Sequence, residues 1–198
     1  MSPGATFERV YIELKRMLAE GELPPGTPIE PALIGKQIAS SITPIRDALH
    51  RLTGERLVEA PNHNGFRVPL LTEAALRDLY AWNTQLVGLA ARHILAPVEA
   101  GAGVASDESA GTATARLFAG IARGGGSAEH ARAIEQLNDR LAPFRRIEGQ
   151  VLDGLAEEHQ ALALCLSRGE RAPLLKLLDR YRRRRLSVTP RLLAAVLA

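Results

Sequence analysis

Two short amphipathic segments near the N-terminus, separated by a tight break, constrain the fold of this chain most strongly. The first runs from Pro31 to about Ala39, and the second begins at Ser41 or Thr43, either of which is suited to cap a helix. Their apolar stripes comprise Leu33, Ile34 and Ile38 in the first segment and Ile45, Ala48, Leu49 and Leu52 in the second. Two short helices joined by such a break predict a helix-turn-helix.

The flanking sequence completes a small domain around these two helices. Residues 6–20 have helical apolar spacing, and residues 21–27 contain two prolines and two glycines that predict a turn. Residues 57–60 and 66–68 are short extended runs on either side of the hairpin turn signal Asn64-Gly65. Residues 1–70 are therefore predicted to form a winged helix-turn-helix with a small β-hairpin wing.

The remaining residues, 71–198, are predicted to form an all-α helical bundle. Only 4% of the chain is aromatic while Leu and Ala are abundant, which favours helices packed on helices and a mainly α fold. The predicted helices cover residues 72–96, 112–123, 127–141, 144–167, 171–188 and 191–198. The last two are predicted to be divided at Thr189-Pro190, and Gly149 is a weak point in the helix over residues 144–167.

Composition and motif content exclude several classes of protein. The single cysteine, Cys165, excludes a disulfide framework, and the chain has neither a secretory type of leader nor an apolar run near 18 residues. We therefore expect a cytoplasmic protein without membrane association. No nucleophile triad, paired-carboxylate or phosphate-loop arrangement occurs at useful spacing, so we expect no enzymatic activity.

The residues of the helix-turn-helix resemble a known family. The segments that carry the resemblance are residues 21–27, 43–52, 57–58 and 65–68. They resemble the GntR family of bacterial transcription regulators. Residues 71–72 and 76–80 look like the start of the effector domain of its FadR-like, or FCD, branch.

This resemblance implies a transcriptional regulator that acts as a homodimer on a pseudo-palindromic operator in double-stranded DNA. It also implies modulation by a small acidic metabolite bound in the helical domain. The second helix of the motif would enter the major groove. The candidate DNA-contacting residues are Ser41, Thr43, Arg46, His50, His63, Asn64 and Gly65.

Departures from the family pattern leave an alternative open. Family members usually have arginine where this chain has Ala32, Ile42 and Asn64, so only Arg46 clearly remains of the expected DNA-contacting arginines. Residues 1–70 contain equal numbers of basic and acidic residues, eight of each, and the net charge of +3 lies entirely after Leu70. The alternative is a regulator-derived interaction protein whose specific DNA binding is weakened or lost.

The helical domain also departs from the family at the positions of a metal site. The Glu158-His159 pair matches the pattern, but Tyr181, Ala115 and Ala119 stand where ligands are expected. We therefore expect no metal of the family type and no other cofactor. Asn83, His159 and Tyr181 are candidates for an effector pocket. The run from Arg182 to Arg185 is predicted to be a solvated face, with contact to DNA flanks or an acidic ligand as the alternative.

Overall fold

A computed structural model of the chain describes residues 3–61, 65–94 and 109–197. The chain divides between Leu71 and Thr72 into two compact units, which we call the N-terminal unit and the helical unit. The predicted fold class is confirmed, because the chain is mainly helical and carries only a small antiparallel pair of strands in the described ranges. Within these ranges, no helix is long and apolar enough to cross a membrane.

The N-terminal unit is built on three helices and two very short strands. These elements are α1 (Pro3–Glu20), β1 (Pro28–Ile29), α2 (Pro31–Gln37), α3 (Ile42–Gly54) and β2 (Phe66–Arg67). The core lies between α1 and α3, where the fully buried Val10 and Leu14 join Ile45 and Leu49. The spacing of these side chains at three to four residues explains why each helix buries one face and leaves the other in solvent.

The wing differs from the predicted hairpin in its strand partner. β2 pairs antiparallel with β1, with Ile29 opposite Phe66, while Glu59 forms only an isolated bridge with Arg67. The sequence pattern does not predict the strand at Pro28–Ile29. A two-residue strand shows no alternation, so only its tertiary partner reveals it.

The helical unit contains five α-helices in the described ranges. They are α4 (Glu73–His93), α5 (Ala110–Gly124), α6 (Ala128–Ile147), α7 (Leu155–Ser167) and α8 (Arg171–Leu197), with a 3₁₀ turn at Glu148–Gln150. The side chains of Thr72, Ser109 and Ser127 cap α4, α5 and α6 by accepting hydrogen bonds from backbone amides of the first turn.

Three of the predicted helix boundaries in this unit are wrong. The division predicted between residues 141 and 144 is not found, because α6 continues through Pro143 to Ile147. The helix predicted over residues 144–167 is interrupted between Glu148 and Gly154, and Gly154 has the left-handed φ of 66° that favours glycine. In contrast, α8 continues through Pro190. The proline lacks the amide that would bond the carbonyl of Leu186, but Arg77 Nη1 donates to that oxygen at 2.8 Å instead, so the helix does not break.

Candidate nucleic-acid interface

The α3 helix presents one buried face and one exposed face. Its buried residues are Ile45, Ala48, Leu49 and Leu52. Four of the predicted DNA-contacting residues, Ser41, Thr43, Arg46 and His50, are exposed. Ser41 is the N-cap in extended conformation, and its side chain makes no capping hydrogen bond. Its hydroxyl is therefore available at a helix N-terminus, where backbone amides favour a phosphate.

The turn between α2 and α3 is tightly packed. A Cβ at Gly35 would lie 2.8 Å from the carbonyl oxygen of Ser40, so only glycine allows this close approach. The amide of Ser40 donates to the Gly35 carbonyl at 3.0 Å, and Ala39 adopts a positive φ of 49°. Arg9 on α1 donates from Nη1 to the Ile38 carbonyl at 3.0 Å. These contacts hold the two helices of the motif in a defined relation.

Arg46 differs from Arg51, the other arginine of α3, in having no partner within the described residues. Arg51 lies 3.6 Å from Glu8 and 3.3 Å from Glu55, and its guanidinium lies over the ring of Tyr11 at 3.9 Å. Arg46 makes no ion pair or hydrogen bond with any other residue in the described ranges. An exposed arginine on a helix usually pairs with a nearby carboxylate, but Arg46 has no such partner among the described residues.

The wing lies against α3 through His50. The imidazole meets the Phe66 ring edge-on at a centroid distance of 5.0 Å. This contact gives His50 a structural role in addition to its predicted one. Gly65, just before β2, has a φ of 80°. His63 and Asn64 lie outside the described residues.

The charge balance of the N-terminal unit conceals unpaired cations near the helix-turn-helix. Arg16 binds Glu13, Glu20 and Glu22, and its hydrogen bond holds the pKa of Glu13 below the ordinary value. Lys36 on α2, Arg46 on α3 and Arg56 just after α3 make no ion pair within the described part of this unit. Glu30 and Asp47 likewise make no ion pair among the described residues, so three unpaired cations lie near two unpaired carboxylates and the local balance is only slightly positive.

In the helical unit, two of the three predicted effector residues meet at a buried arginine. Arg145 is 2% exposed and donates to Asn83 Oδ1 at 2.8 Å, to Asn138 Oδ1 at 2.7 Å and to the Tyr181 hydroxyl at 3.2 Å. Burial raises the pKa of Tyr181, so the phenol stays neutral at physiological pH. His159 is also buried, on α7. We call Arg145, Asn83, Asn138 and Tyr181 the Arg145 cluster.

A second buried network surrounds Arg185, which is 1% exposed. Its Nη2 lies 2.7 Å from Glu148 Oε2, its Nη1 binds Glu158, and Glu148 also accepts a hydrogen bond of 2.8 Å from the Tyr80 hydroxyl. Burial alone lowers the pKa of Arg185, but the neighbouring Tyr181 and Glu148 outweigh it and the pKa is raised. The prediction of a solvated face is therefore wrong for this end of the arginine run.

Helical periodicity could have revealed these buried charges. Along α8 the buried positions Leu178, Tyr181, Arg185, Val188 and Leu192 follow one stripe. Along α6 and the turn after it, Leu141, Arg145 and Glu148 do the same. A charge that falls on an apolar stripe indicates a buried pair.

The residues at the family's metal positions do not fit a divalent cation. Glu158 accepts from the guanidinium groups of Arg184 and Arg185, and the Tyr181 hydroxyl accepts from Arg145. A metal ion there would face positive charge instead of free ligand atoms. Among the residues that the structure describes, no three or more His, Cys, Asp or Glu side chains are grouped as a metal site requires.

Two helices joined by a tight turn, an exposed polar face on the second helix and a short β wing define a winged helix-turn-helix DNA-binding domain. Residues 6–68 match the family model of the bacterial regulatory proteins of the gntR family. Residues 6–68 are therefore similar to the DNA-binding domain of that family.

Similar proteins extend this likeness. The chain is 36% identical over 75 residues to the "Probable D-xylose utilization operon transcriptional repressor" of Paenarthrobacter nicotinovorans, covering 38% of this chain and 33% of that protein. It is 29% identical over 93 residues to the "Uncharacterized HTH-type transcriptional regulator YdhC" of Bacillus subtilis, covering 47% and 42%. The matched segments thus span less than half of these curated relatives.

The solved structure of McbR/YncC from E. coli shares the fold. It superposes with a TM-score of 0.69 at 18% identity and covers 94% of this chain and 97% of its own. The sequence matches cover less than half of the chain, whereas this structural similarity extends through the helical unit.

Proposed function

We propose that this protein is a homodimeric transcriptional regulator that binds double-stranded DNA through α3. The observation that carries the proposal is Arg46, which is exposed on the outer face of α3 and has no partner within the described residues. Its side chain is free to donate two hydrogen bonds to a guanine edge in the major groove. The matches of residues 6–68 to known regulators support this role.

The other proposed contacts of the N-terminal unit orient the domain on the duplex. Ser41 and Thr43 lie at the N-terminal end of α3, where hydroxyls and amides together bind a phosphate. His50 contacts the backbone or a base from the next turn. The wing residues His63, Asn64 and Gly65 contact the adjacent groove or its phosphates.

The homodimer requires an operator with two-fold symmetry. Two copies of α3 would enter successive major grooves, so the half-sites would lie about 34 Å, or one helical turn, apart. We propose that the protein acts in the cytoplasm and performs no catalysis. The helical unit would supply dimerisation and an effector domain of the FadR-like type.

We further propose that a small acidic metabolite acts through the Arg145 cluster. The guanidinium of Arg145 donates to three uncharged oxygens, so a carboxylate would form stronger, charge-assisted bonds with it. Asn83, Tyr181 and His159 are the other residues assigned to this role. Thermal shifts with a panel of small mono-, di- and tricarboxylates test it. An effector should raise the melting temperature of the wild type and lose that effect with Asn83→Leu.

A genomic map of bound sites tests the regulator most broadly. The wild-type protein should occupy few sites that share a two-fold symmetric motif, and Arg46→Ala should lose them at equal expression. Arg132→Ala is the matched control, because Arg132 is an exposed arginine of the helical unit. A wild-type map without any shared motif would instead favour an interaction protein descended from a regulator.

A further inference from the structure

The exposed face of α4 carries a stripe that is complementary to itself. Asp78, Trp82, Gln85, Leu89 and Arg92 are all exposed and follow one another at alternating intervals of four and three residues. This spacing keeps them on one side of the helix. We call these five residues the α4 stripe.

Two large apolar side chains lie within the α4 stripe. Trp82, the single tryptophan of the chain, is 52% exposed, and Leu89 is 44% exposed. Both are among the largest exposed apolar side chains in the described residues. An indole and a leucine placed two turns apart on one exposed face are typical anchors of a protein interface.

The two charges of the stripe are unpaired within the described ranges and opposite in sign. Neither Asp78 nor Arg92 makes an ion pair or hydrogen bond with another residue there. Each lies seven residues from Gln85, which is about 10.5 Å along the helix axis. The two charged residues are therefore symmetric about Gln85 in position and opposite in sign.

This symmetry matches an antiparallel pairing of two identical helices. In such a pair, residues at equal distances before and after Gln85 lie opposite each other. Asp78 then faces Arg92 of a second copy, Trp82 lies opposite Gly88 and next to Leu89, and Gln85 faces itself. A parallel pairing in register would instead place each charge against its like, which is unfavourable.

A groove beside the stripe offers space for the partner's indole. It has a volume of about 380 Å³ and is lined by Gly88 and Leu89 of α4 and by Leu175 and Asp179 of α8, among others. Gly88 has no side chain, and the nearest atom to a Cβ built there is Leu175 Cδ2 at 3.9 Å. Trp82 of a second copy, opposite Gly88, would reach this depression.

We infer that the α4 stripe is the homodimer interface, with the two-fold axis passing beside Gln85. The inference rests on the homodimer of the proposed function and specifies which surface forms it and in which register. The occupant is a second copy of this chain, because the charges of the stripe complement those of its own reversed copy and the Trp82 indole meets the groove at Gly88.

A charge exchange in the full-length chain tests the register. Asp78→Arg or Arg92→Asp alone should weaken the dimer at least about tenfold, because each places like charges opposite one another. The double variant should recover the wild-type dissociation constant. A one-to-one mixture of the two single variants should form heterodimers, because each then supplies the charge that the other lacks. Sedimentation equilibrium measures all four.

A cysteine at the axis provides an independent test. Gln85→Cys should form a disulfide-linked dimer under mild oxidation, because the two copies of residue 85 face each other. Ala74→Cys is the matched control, since it is exposed on the same helix but eleven residues from the axis. The native Cys165 is buried, and burial raises the pKa of its thiol, so the wild type should give little background.

The fluorescence of Trp82 completes the experiment. Dimerisation should shift its emission to shorter wavelength and protect it from acrylamide. Three results together would overturn the inference. They are a dimer in which Trp82 stays fully accessible, a Gln85→Cys variant that forms no crosslink, and a double variant that does not recover the wild-type dissociation constant. DNA binding by that dimer would still leave the proposed regulator intact. A wild type that stays monomeric at tens of micromolar would also overturn the inference.

Discussion

Replacing Glu148 by methionine should destabilise the helical unit severely. Glu148 is fully buried and binds both Arg185 and the Tyr80 hydroxyl. Its loss leaves the buried guanidinium of Arg185 beside a thioether, with Glu158 as its remaining carboxylate partner, and leaves a phenol without its acceptor. Breaking a buried ion pair by removing one partner costs about 3 to 5 kcal/mol.

This cost corresponds to a large change in melting temperature. The helical unit spans residues 72–196, and its unfolding entropy is about 0.26 kcal/mol/K at roughly 2.1 cal/mol/K per residue. The melting temperature should therefore fall by roughly 11 to 19 °C. Thermal unfolding followed by circular dichroism at the helical band measures the change.

Two companion variants separate the ion pair from general damage. Glu148→Met combined with Arg185→Met should recover most of the loss, because an apolar pair of similar volume replaces the charges and Glu158 keeps Arg184 at 2.8 Å. Arg183→Met is the exposed control, since Arg183 is 69% exposed, and it should change stability by less than about 0.5 kcal/mol. A loss below about 1 kcal/mol in Glu148→Met, or a double variant less stable than the single one, would refute this reasoning.

Two further predictions concern a glycine and the buried tyrosines. Gly111→Ala should destabilise the helical unit, because the new Cβ would lie 2.7 Å from the carbonyl carbon of Arg145 and clash with that backbone. In the same helix, the Cβ of Gly120→Ala would meet nothing within 4 Å, so this variant should stabilise the unit by about 0.5 to 1 kcal/mol. Urea unfolding compares the two, and equal effects would contradict the packing argument. Burial raises the pKa of Tyr80 and Tyr181 above the ordinary 10.0, so the stability they contribute is complete below pH 10 and is lost as pH rises above it. The melting temperature should therefore decline less steeply above pH 10 in Tyr181→Phe than in the wild type. If neither Tyr181→Phe nor Tyr80→Phe changes this decline, the prediction is contradicted.

Helical periodicity predicts the parts of the fold that bury one continuous stripe. In α3 the residues Ile45, Ala48, Leu49 and Leu52 are buried as expected. The same rule fails to locate β1, because a two-residue strand has no period. Its existence depends on the pairing of Ile29 with Phe66, which is a tertiary contact.

Local rules about proline and charge fail where distant residues compensate. Pro190 is expected to end a helix, but Arg77 from α4 satisfies the carbonyl of Leu186. Arg185 is expected to be solvated, yet Glu148 lies beside it although the two are 37 residues apart in sequence. The sequence does not predict that Arg145 joins Asn83 and Tyr181. Neither the spacing nor the type of those two residues specifies the partner that they share.

The affinity of the purified protein for DNA of its own promoter region tests the central claim most directly. Wild type, Arg46→Ala and the control Arg132→Ala should be compared by fluorescence anisotropy at the same salt concentration. We expect Arg46→Ala to weaken binding by about 1 to 3 kcal/mol, which is roughly 5-fold to 150-fold, while Arg132→Ala binds as the wild type does. Equal affinity of Arg46→Ala and wild type, or no binding by the wild type even at low salt, would contradict a function in which α3 reads the major groove.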